Sequence, residues 1–337
     1  MIRLAAIGVA GAGSFGMALA KMFSENGHEV ALFSVINEEI EILKDTGRNE
    51  KYLKNIVMPK DIKYTCDLND VLNCDILILA VASKFVRSTA ALLKGRLDAK
   101  TVVVSVSKGF DPETKKTLSF AIKESVDNDV VILSGPSHAE ELANETPTTV
   151  VAASDSKNAA EYISNTLKNS KFRIYTNTDR LGVEIGAALK NIIALAVGIC
   201  DGLKLGDNTK AALMTRGLTE IARLGVKLGA NEKTFAGLSG MGDLIVTCMS
   251  MHSRNRRAGI LIGQGMNADE AIKTVGTVVE GFYAASIALE IATANGVEMP
   301  ITEQLCRVIY NNMPPEKAIF TLMTRAPKTE SEDIWIK

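Results

Sequence analysis

The chain has 337 residues, of which 38 are basic, 39 acidic and 47% apolar. That length suits two domains, because single hydrophobic cores rarely grow past roughly 250–300 residues. A formal net charge of −1 provides no bulk field for nucleic acid or an anionic membrane, so any affinity for a phosphorylated ligand has to come from a few placed cations. In chain order, short apolar runs at residues 4–9, 30–33, 76–81, 101–105, 130–133 and 148–152 read as strands. Helical patterns lie between most of them, at 14–25, 38–44 and 114–124. Such alternation predicts βαβ units and a mostly parallel, doubly wound α/β sheet of the Rossmann type. From about Gly182 the strand-like runs cease, and Ala/Leu-rich helical patterns follow at 184–199, 210–228, 268–275 and 281–294. The expected division is a dinucleotide-binding domain over residues 1–181 and an all-helical substrate-binding and catalytic domain over 182–337.

The five cysteines (Cys66, Cys74, Cys200, Cys248, Cys306) are scattered without a CxxC pair, and there are three histidines. A zinc site or a disulfide framework is therefore not expected, and no metal is predicted. Met1 leads straight into a strand-like segment, without the cationic and apolar regions of a secretory leader. The apolar runs read as shorter than the ~20 residues of a membrane span. The expectation is a reduced, soluble, cytoplasmic protein.

Gly11-Ala12-Gly13-Ser14-Phe15-Gly16 fits G-x-G-x-x-G between a strand and a helix. Gly11 permits a tight turn, Gly13 lets the backbone approach a pyrophosphate, Gly16 allows close packing, and the helix start supplies N–H donors. The tip of the next strand reads Phe33-Ser34-Val35, with neither the acid that would bind a ribose 2′-hydroxyl nor an arginine. Glu38 and Glu39 are expected on the solvated face of the following helix. With nothing at the tip to repel a 2′-phosphate, the reading leans toward NADP.

Lys108, in Ser107-Lys108-Gly109-Phe110, and the loop Ser134–Ala139 each follow a parallel strand, where ligands collect in such sheets. The alternative for Lys108 is an exposed loop lysine. Lys190 lies in Gly186-Ala187-Ala188-Leu189-Lys190-Asn191-Ile192-Ile193, which is apolar on nearly every other side. Such a lysine is either paired or depressed in pKa, as suits a proton donor in carbonyl reduction, or else snorkels to the surface. Three glycines in Gly237–Gly242 deliver the carboxylate of Asp243. The run Ser253-Arg254-Asn255-Arg256-Arg257 places an N-cap and cations at a helix start, an anion site in a chain with no overall positive charge.

Together these segments resemble the bacterial NAD(P)-dependent glycerol-3-phosphate dehydrogenase family along almost the whole chain. The matching stretches are GAGSFG (11–16), NEKYL (49–53), SKGF (107–110), SGPSHAEE (134–141), GAALKNIIALAVGI (186–199), GLSGMGDLIVTC (237–248), SRNRRAG (253–259) and VVEG (278–281). The resemblance implies an oxidoreductase that reduces dihydroxyacetone phosphate reversibly to sn-glycerol 3-phosphate for phospholipid synthesis, with NADH or NADPH, as a homodimer. It implies that Lys190 is the general acid/base, with Lys108 and Asp243 catalytic beside it. Substrate would be held by Lys108, Gly135, Ser137, Lys190, Asp243, Thr247, Ser253, Arg254 and Asn255. Cofactor would be held by Gly11, Gly13, Ser14, Phe15, Gly16, Ser34, Tyr52, Lys108, Ala139, Arg254, Val278 and Glu280. Ser34 departs from the family, many members of which carry basic residues there. The rival readings are a reductase of a small keto acid and a catalytically silent dinucleotide sensor.

Overall fold

A computed structural model describes residues 4–276, 278–327 and 329–330. The described residues divide into two compact units, those up to 107 and from 116 to 180 in one, those from 108 to 115 and from 181 onward in the other. Each has its own hydrophobic core. The segment 108–115, which the sequence reading left in the N-terminal half, groups with the second unit.

The first unit is an eight-stranded sheet. Its strands are β1 (Ala6–Ala10), β2 (Glu29–Phe33), β3 (Lys63–Thr65), β4 (Ile76–Leu79), β5 (Val102–Ser105), β6 (Val130–Ser134), β7 (Thr148–Ala153) and β8 (Phe172–Asn177). They lie in the order β3-β2-β1-β4-β5-β6-β7-β8. Every neighbouring pair is parallel except β6 and β7. The helices are α1 (Ser14–Glu25), α2 (Asn37–Thr46), α3 (Val86–Ala91), α4 (Leu118–Lys123), α5 (Ala139–Ala143) and α6 (Lys157–Leu167). Central strands such as β4 and β5 are buried at every residue, as expected where helices cover both faces. The sequence reading missed β3, which has three residues, and β8, whose alternating burial marks a strand with one wet face. The helix expected over 114–124 starts only at Leu118. Asp111 accepts from the Thr114 amide (3.0 Å) and hydroxyl (2.6 Å), and Lys115 turns into the left-handed region at φ 58°.

The strand order reverses direction between β1 and β4, and the glycine turn sits at the carboxyl end of β1. In open α/β sheets this is the switch point at which ligands bind.

The second unit is helical among its described residues: α7 (Arg180–Gly202), α8 (Gly206–Lys227), α9 (Glu232–Phe235), α10 (Asp243–Met249), α11 (Arg254–Gly263), α12 (Ala268–Val275), α13 (Glu280–Ala294), α14 (Pro300–Asn311) and α15 (Pro315–Met323). A wide π-turn, Leu238–Gly242, leads into α10. The 23-residue α7 is longer and more continuously apolar than expected, and by length and composition alone could cross a membrane. Its apolar window is 100% buried within the fold, which is the environment of a core helix. Beside it Glu220 of α8, 2% exposed, accepts from the amides of Ile301 (2.6 Å) and Thr302 (3.2 Å) and from the Thr302 hydroxyl, capping α14 from outside.

Candidate active site

In the first unit the glycine turn has the shape its sequence demands. Gly11 adopts φ 122°, and a Cβ there would lie 2.5 Å from the Ala80 carbonyl oxygen; one on Gly16 would lie 2.0 Å from that of Gly11. A Cβ on Gly13 would meet nothing within 4 Å, so the backbone there is open to close approach by a pyrophosphate. Ser14 and Phe15 open α1, which packs against α5, where Ala139 is the first residue. Gly135 takes φ 146° at the end of β6, and the Ser137 hydroxyl donates to its carbonyl (3.0 Å).

The tip of β2 differs from the sequence reading. The Gly11 amide donates to the Phe33 carbonyl (2.9 Å), which seats the tip against the glycine turn. Ser34 then donates its hydroxyl to Glu39 (3.0 Å), Tyr52 donates its own to the same carboxylate (2.8 Å), and Lys51 lies 3.6 Å away. Glu39 is 7% exposed rather than solvated. It sits in the first turn of α2, where the chain folds back toward the strand it has left. An acid therefore does stand behind the tip, and the argument for NADP from its absence falls. Tyr52 joins the group from its main chain as well, accepting from the Ser14 hydroxyl (2.8 Å).

In the second unit, Lys190 is 5% exposed and Asp243 1%. Asp243 opens α10 directly after the π-turn, where a Cβ on Gly240 would lie 2.1 Å from the Phe235 carbonyl oxygen. One carboxylate oxygen accepts from the Lys190 ammonium and the other from Lys108 Nζ at 2.7 Å. Lys190 also donates to Thr247 Oγ1 (2.7 Å), one turn along α10, and that hydroxyl donates to the Asp243 carbonyl (2.6 Å). Lys190 is thus paired rather than snorkelling, and Lys108 is a partner of Asp243 rather than a free loop lysine.

The electrostatics follow from this packing. Burial pulls the Lys190 pKa down from 10.5; the Asp243 carboxylate opposes it, the Lys108 charge adds to it, and the balance lies at about 7. Burial pushes the Asp243 carboxyl up, but the two lysines overcome it and hold the group below the usual carboxylate range. Three formal charges in this small volume sum to +1, a setting for charge developing on a substrate oxygen.

The second cluster is at the start of α11. Ser253 caps the helix, its hydroxyl accepting from the Arg256 amide (3.2 Å). Asn255, the second residue of the helix, donates to Asn191 Oδ1 (2.9 Å) and accepts from the Gly281 amide (2.8 Å), which ties α11 to α7 and to the start of α13, where Glu280 is the first residue and Val278 lies just before. Of the three neighbouring arginines, Arg256 is committed elsewhere. It grips Asp201 through Nε (2.8 Å) and a terminal nitrogen (2.7 Å) and donates to the Met249 carbonyl (2.6 Å). Its role is structural; Arg254, the arginine that the resemblance implies for the anion grip, stands at the first position of the helix. Among the described residues there is no metal-ligating cluster. Sequence reasoning missed Asn191 and Glu39, the first because it sits in an apolar run, the second because helical spacing alone put it outside.

A glycine turn at the switch point of a doubly wound sheet, followed by a helical unit with a buried, proton-carrying lysine, defines a two-unit dinucleotide-dependent oxidoreductase. Comparison with known proteins is more particular. Residues 6–160 match the NAD-dependent glycerol-3-phosphate dehydrogenase N-terminus and residues 179–320 the C-terminus of the same family. The chain is 49% identical over 328 residues to a glycerol-3-phosphate dehydrogenase [NAD(P)+] of Fusobacterium nucleatum, covering 96% of this chain and 98% of that one. It is 51% identical over 324 residues to its namesake in Moorella thermoacetica, covering 96% of each. The crystal structure of glycerol-3-phosphate dehydrogenase from Coxiella burnetii superposes with a TM-score of 0.92 at 35% identity, over 96% of this chain and 99% of that one. The chain belongs to the NAD-dependent glycerol-3-phosphate dehydrogenase family.

Proposed function

We propose that the chain catalyses the reversible, NAD(P)H-dependent reduction of dihydroxyacetone phosphate to sn-glycerol 3-phosphate, in the service of glycerophospholipid synthesis. The observation that carries this reading is Lys190, buried and bonded to Asp243 and Thr247, in a chain of this family. The glycine turn fits a dinucleotide: its backbone is open at Gly13, and α1 offers its N-terminal amides. Gly11, Gly13, Ser14, Phe15, Gly16, Ser34, Tyr52, Lys108, Ala139, Arg254, Val278 and Glu280 are the proposed cofactor contacts. When bound, the nicotinamide supplies the hydride for C2 of the substrate.

The residues of the chain handle the proton and the phosphate. Lys190 holds a proton on Nζ and gives it to the C2 oxygen in reduction, and removes it from the C2 hydroxyl in oxidation. A pKa near 7 leaves both forms populated near neutrality, which suits a reversible step. Asp243 fixes the direction of the Lys190 ammonium with Thr247 and shares its charge with Lys108, which faces the same substrate oxygens. Gly135 and Ser137 are proposed substrate contacts on the family resemblance alone; Ser253, Arg254 and Asn255 are the proposed phosphate contacts. Binding this non-reacting group helps to position the carbonyl.

The Glu39 carboxylate behind Ser34 favours a ribose 2′-hydroxyl over a 2′-phosphate dianion, so the proposal includes a preference for NADH. A homodimer and a cytoplasmic location are proposed on the family resemblance. The test is oxidation of NADH and of NADPH followed at their absorbance, with dihydroxyacetone phosphate and, in parallel, small keto acids. Turnover confined to the phosphorylated ketone is expected. Turnover of keto acids alone would assign the chain to the rival reductases, and binding of cofactor without turnover to the sensors.

A further inference from the structure

Lys190 and Asn191 are neighbours on α7, so their side chains leave the helix about 100° apart. Lys190 reaches α10, and Asn191 reaches the start of α11. There Asn191 Oδ1 accepts from Asn255 Nδ2 at 2.9 Å, while Asn255 Oδ1 accepts from the Gly281 amide at 2.8 Å. Both asparagines are buried. The two bonds settle which end of the Asn255 amide is oxygen. Turned over, it would set its NH2 against the Gly281 N–H and its oxygen against the Asn191 oxygen, losing both bonds and leaving buried polar groups unpaired.

We propose that Asn191 is a positioning residue for phosphate recognition: by locking the Asn255 amide in one orientation it aims the second N–H of Asn255 at the substrate phosphate. A single residue step along α7 then sets the spacing between the proton donor and the anion grip, and Gly281 ties that grip to the segment carrying Val278 and Glu280. This inference rests on the reading of the α11 start as the phosphate site. A ligand-facing donor held in advance costs no ordering when the phosphate arrives, whereas a freely rotating amide would face it only part of the time.

The test is a double-mutant cycle on the full-length chain with Asn191→Ala, Asn255→Ala and both together. It reads KM for dihydroxyacetone phosphate, competitive inhibition by inorganic phosphate, kcat, and the pH at which reduction declines. Asn191→Ala is expected to raise KM and the phosphate inhibition constant roughly tenfold, the scale of one hydrogen bond, with kcat within about threefold and the pH profile in place. In the Asn255→Ala background the same change should add nothing to KM, because its route is gone. Should Asn191→Ala not accumulate as folded protein, Asn191→Ser takes its place, since its hydroxyl can satisfy itself on the carbonyl four residues back while stopping short of Asn255. If Asn255→Ala leaves KM unchanged, the phosphate site itself is misplaced. If Asn255→Ala raises KM but the Asn191 variant does not, or the two effects multiply, the positioning role alone is overturned.

Discussion

Two carboxylates in the helical unit are equally buried and behave in opposite ways. Asp243, 1% exposed, lies between two lysine ammonium groups and is held below its usual pKa. Glu220, 2% exposed, is met by two backbone amides and a hydroxyl; burial raises it, those donors and the more distant Arg223 charge pull it only part of the way back, and it lies at about 7. Taking a carboxylate out of water costs several kcal/mol in either place. Partial charges on N–H groups reduce that cost, whereas two full cations reverse the sign of the shift. The first arrangement stores charge next to the proposed proton donor, and the second caps a helix. In the other unit a third buried carboxylate, Glu39, accepts from two hydroxyls and has one lysine at 3.6 Å.

The sharpest way to break this comparison is to remove the proton donor. Lys190→Ala is expected to lower kcat by 10²–10⁴-fold while cofactor titration stays near the parent's, that being the usual worth of a positioned acid. On the proposed mechanism reduction needs the ammonium form, so its rate in the parent should fall as pH rises through about 7, and oxidation should rise over the same interval. Initial rates in both directions across that range check the sign; a flat profile would remove Lys190 from the chemistry.

Removing Asp243 leaves two lysines buried together without a counter-charge. Asp243→Ala should cost about 3–5 kcal/mol of stability, visible in a denaturant titration, besides losing turnover. Because the folded-state pKa of Asp243 is depressed, its contribution is present above the ordinary carboxylate value and is lost as pH falls below it.

Glu220 should show the reverse sign. Its folded pKa lies above the unfolded 4.5, so its contribution is complete below 4.5 and is lost as pH rises through about 7. That shift corresponds to at most about 3–4 kcal/mol. Glu220→Gln is expected to flatten the decline of melting temperature across this window, with turnover at pH 7 within about twofold of the parent. An undiminished decline in the variant would place the titration elsewhere.

The smallest effect is expected at Glu39. Glu39→Gln removes the charge behind Ser34 and should shift the ratio of kcat/KM for NADPH over NADH upward by roughly fivefold, through KM more than kcat. Equal ratios in the parent and the variant would mean that the carboxylate does not see the ribose.

Much of this was legible in the sequence, for reasons particular to the residues. The glycine turn is readable because only glycine tolerates φ 122° at position 11 and a contact that leaves no room for Cβ at position 16. Helices with uninterrupted spacing, such as Ser14–Glu25 and Ala268–Val275, fall where the pattern puts them. Lys190 stands out because a charge in an apolar run must find a partner. The edge strand Phe172–Asn177 escaped because half of its side chains face water, and Glu39 was misread because periodicity gives a face of a helix but not what lies opposite it.

Local rules of conformation and patterning therefore fixed the class of fold, the glycine turn and the identity of the buried lysine. Only the tertiary structure could show that Asp243 divides its two oxygens between Lys108 and Lys190, residues 135 and 53 positions away. It alone spends Arg256 on Asp201, and turns the Asn255 amide toward Asn191 and Gly281. These are pairings between side chains far apart in sequence, and a pairing energy depends on distance and dielectric, which the chain acquires only once it has folded.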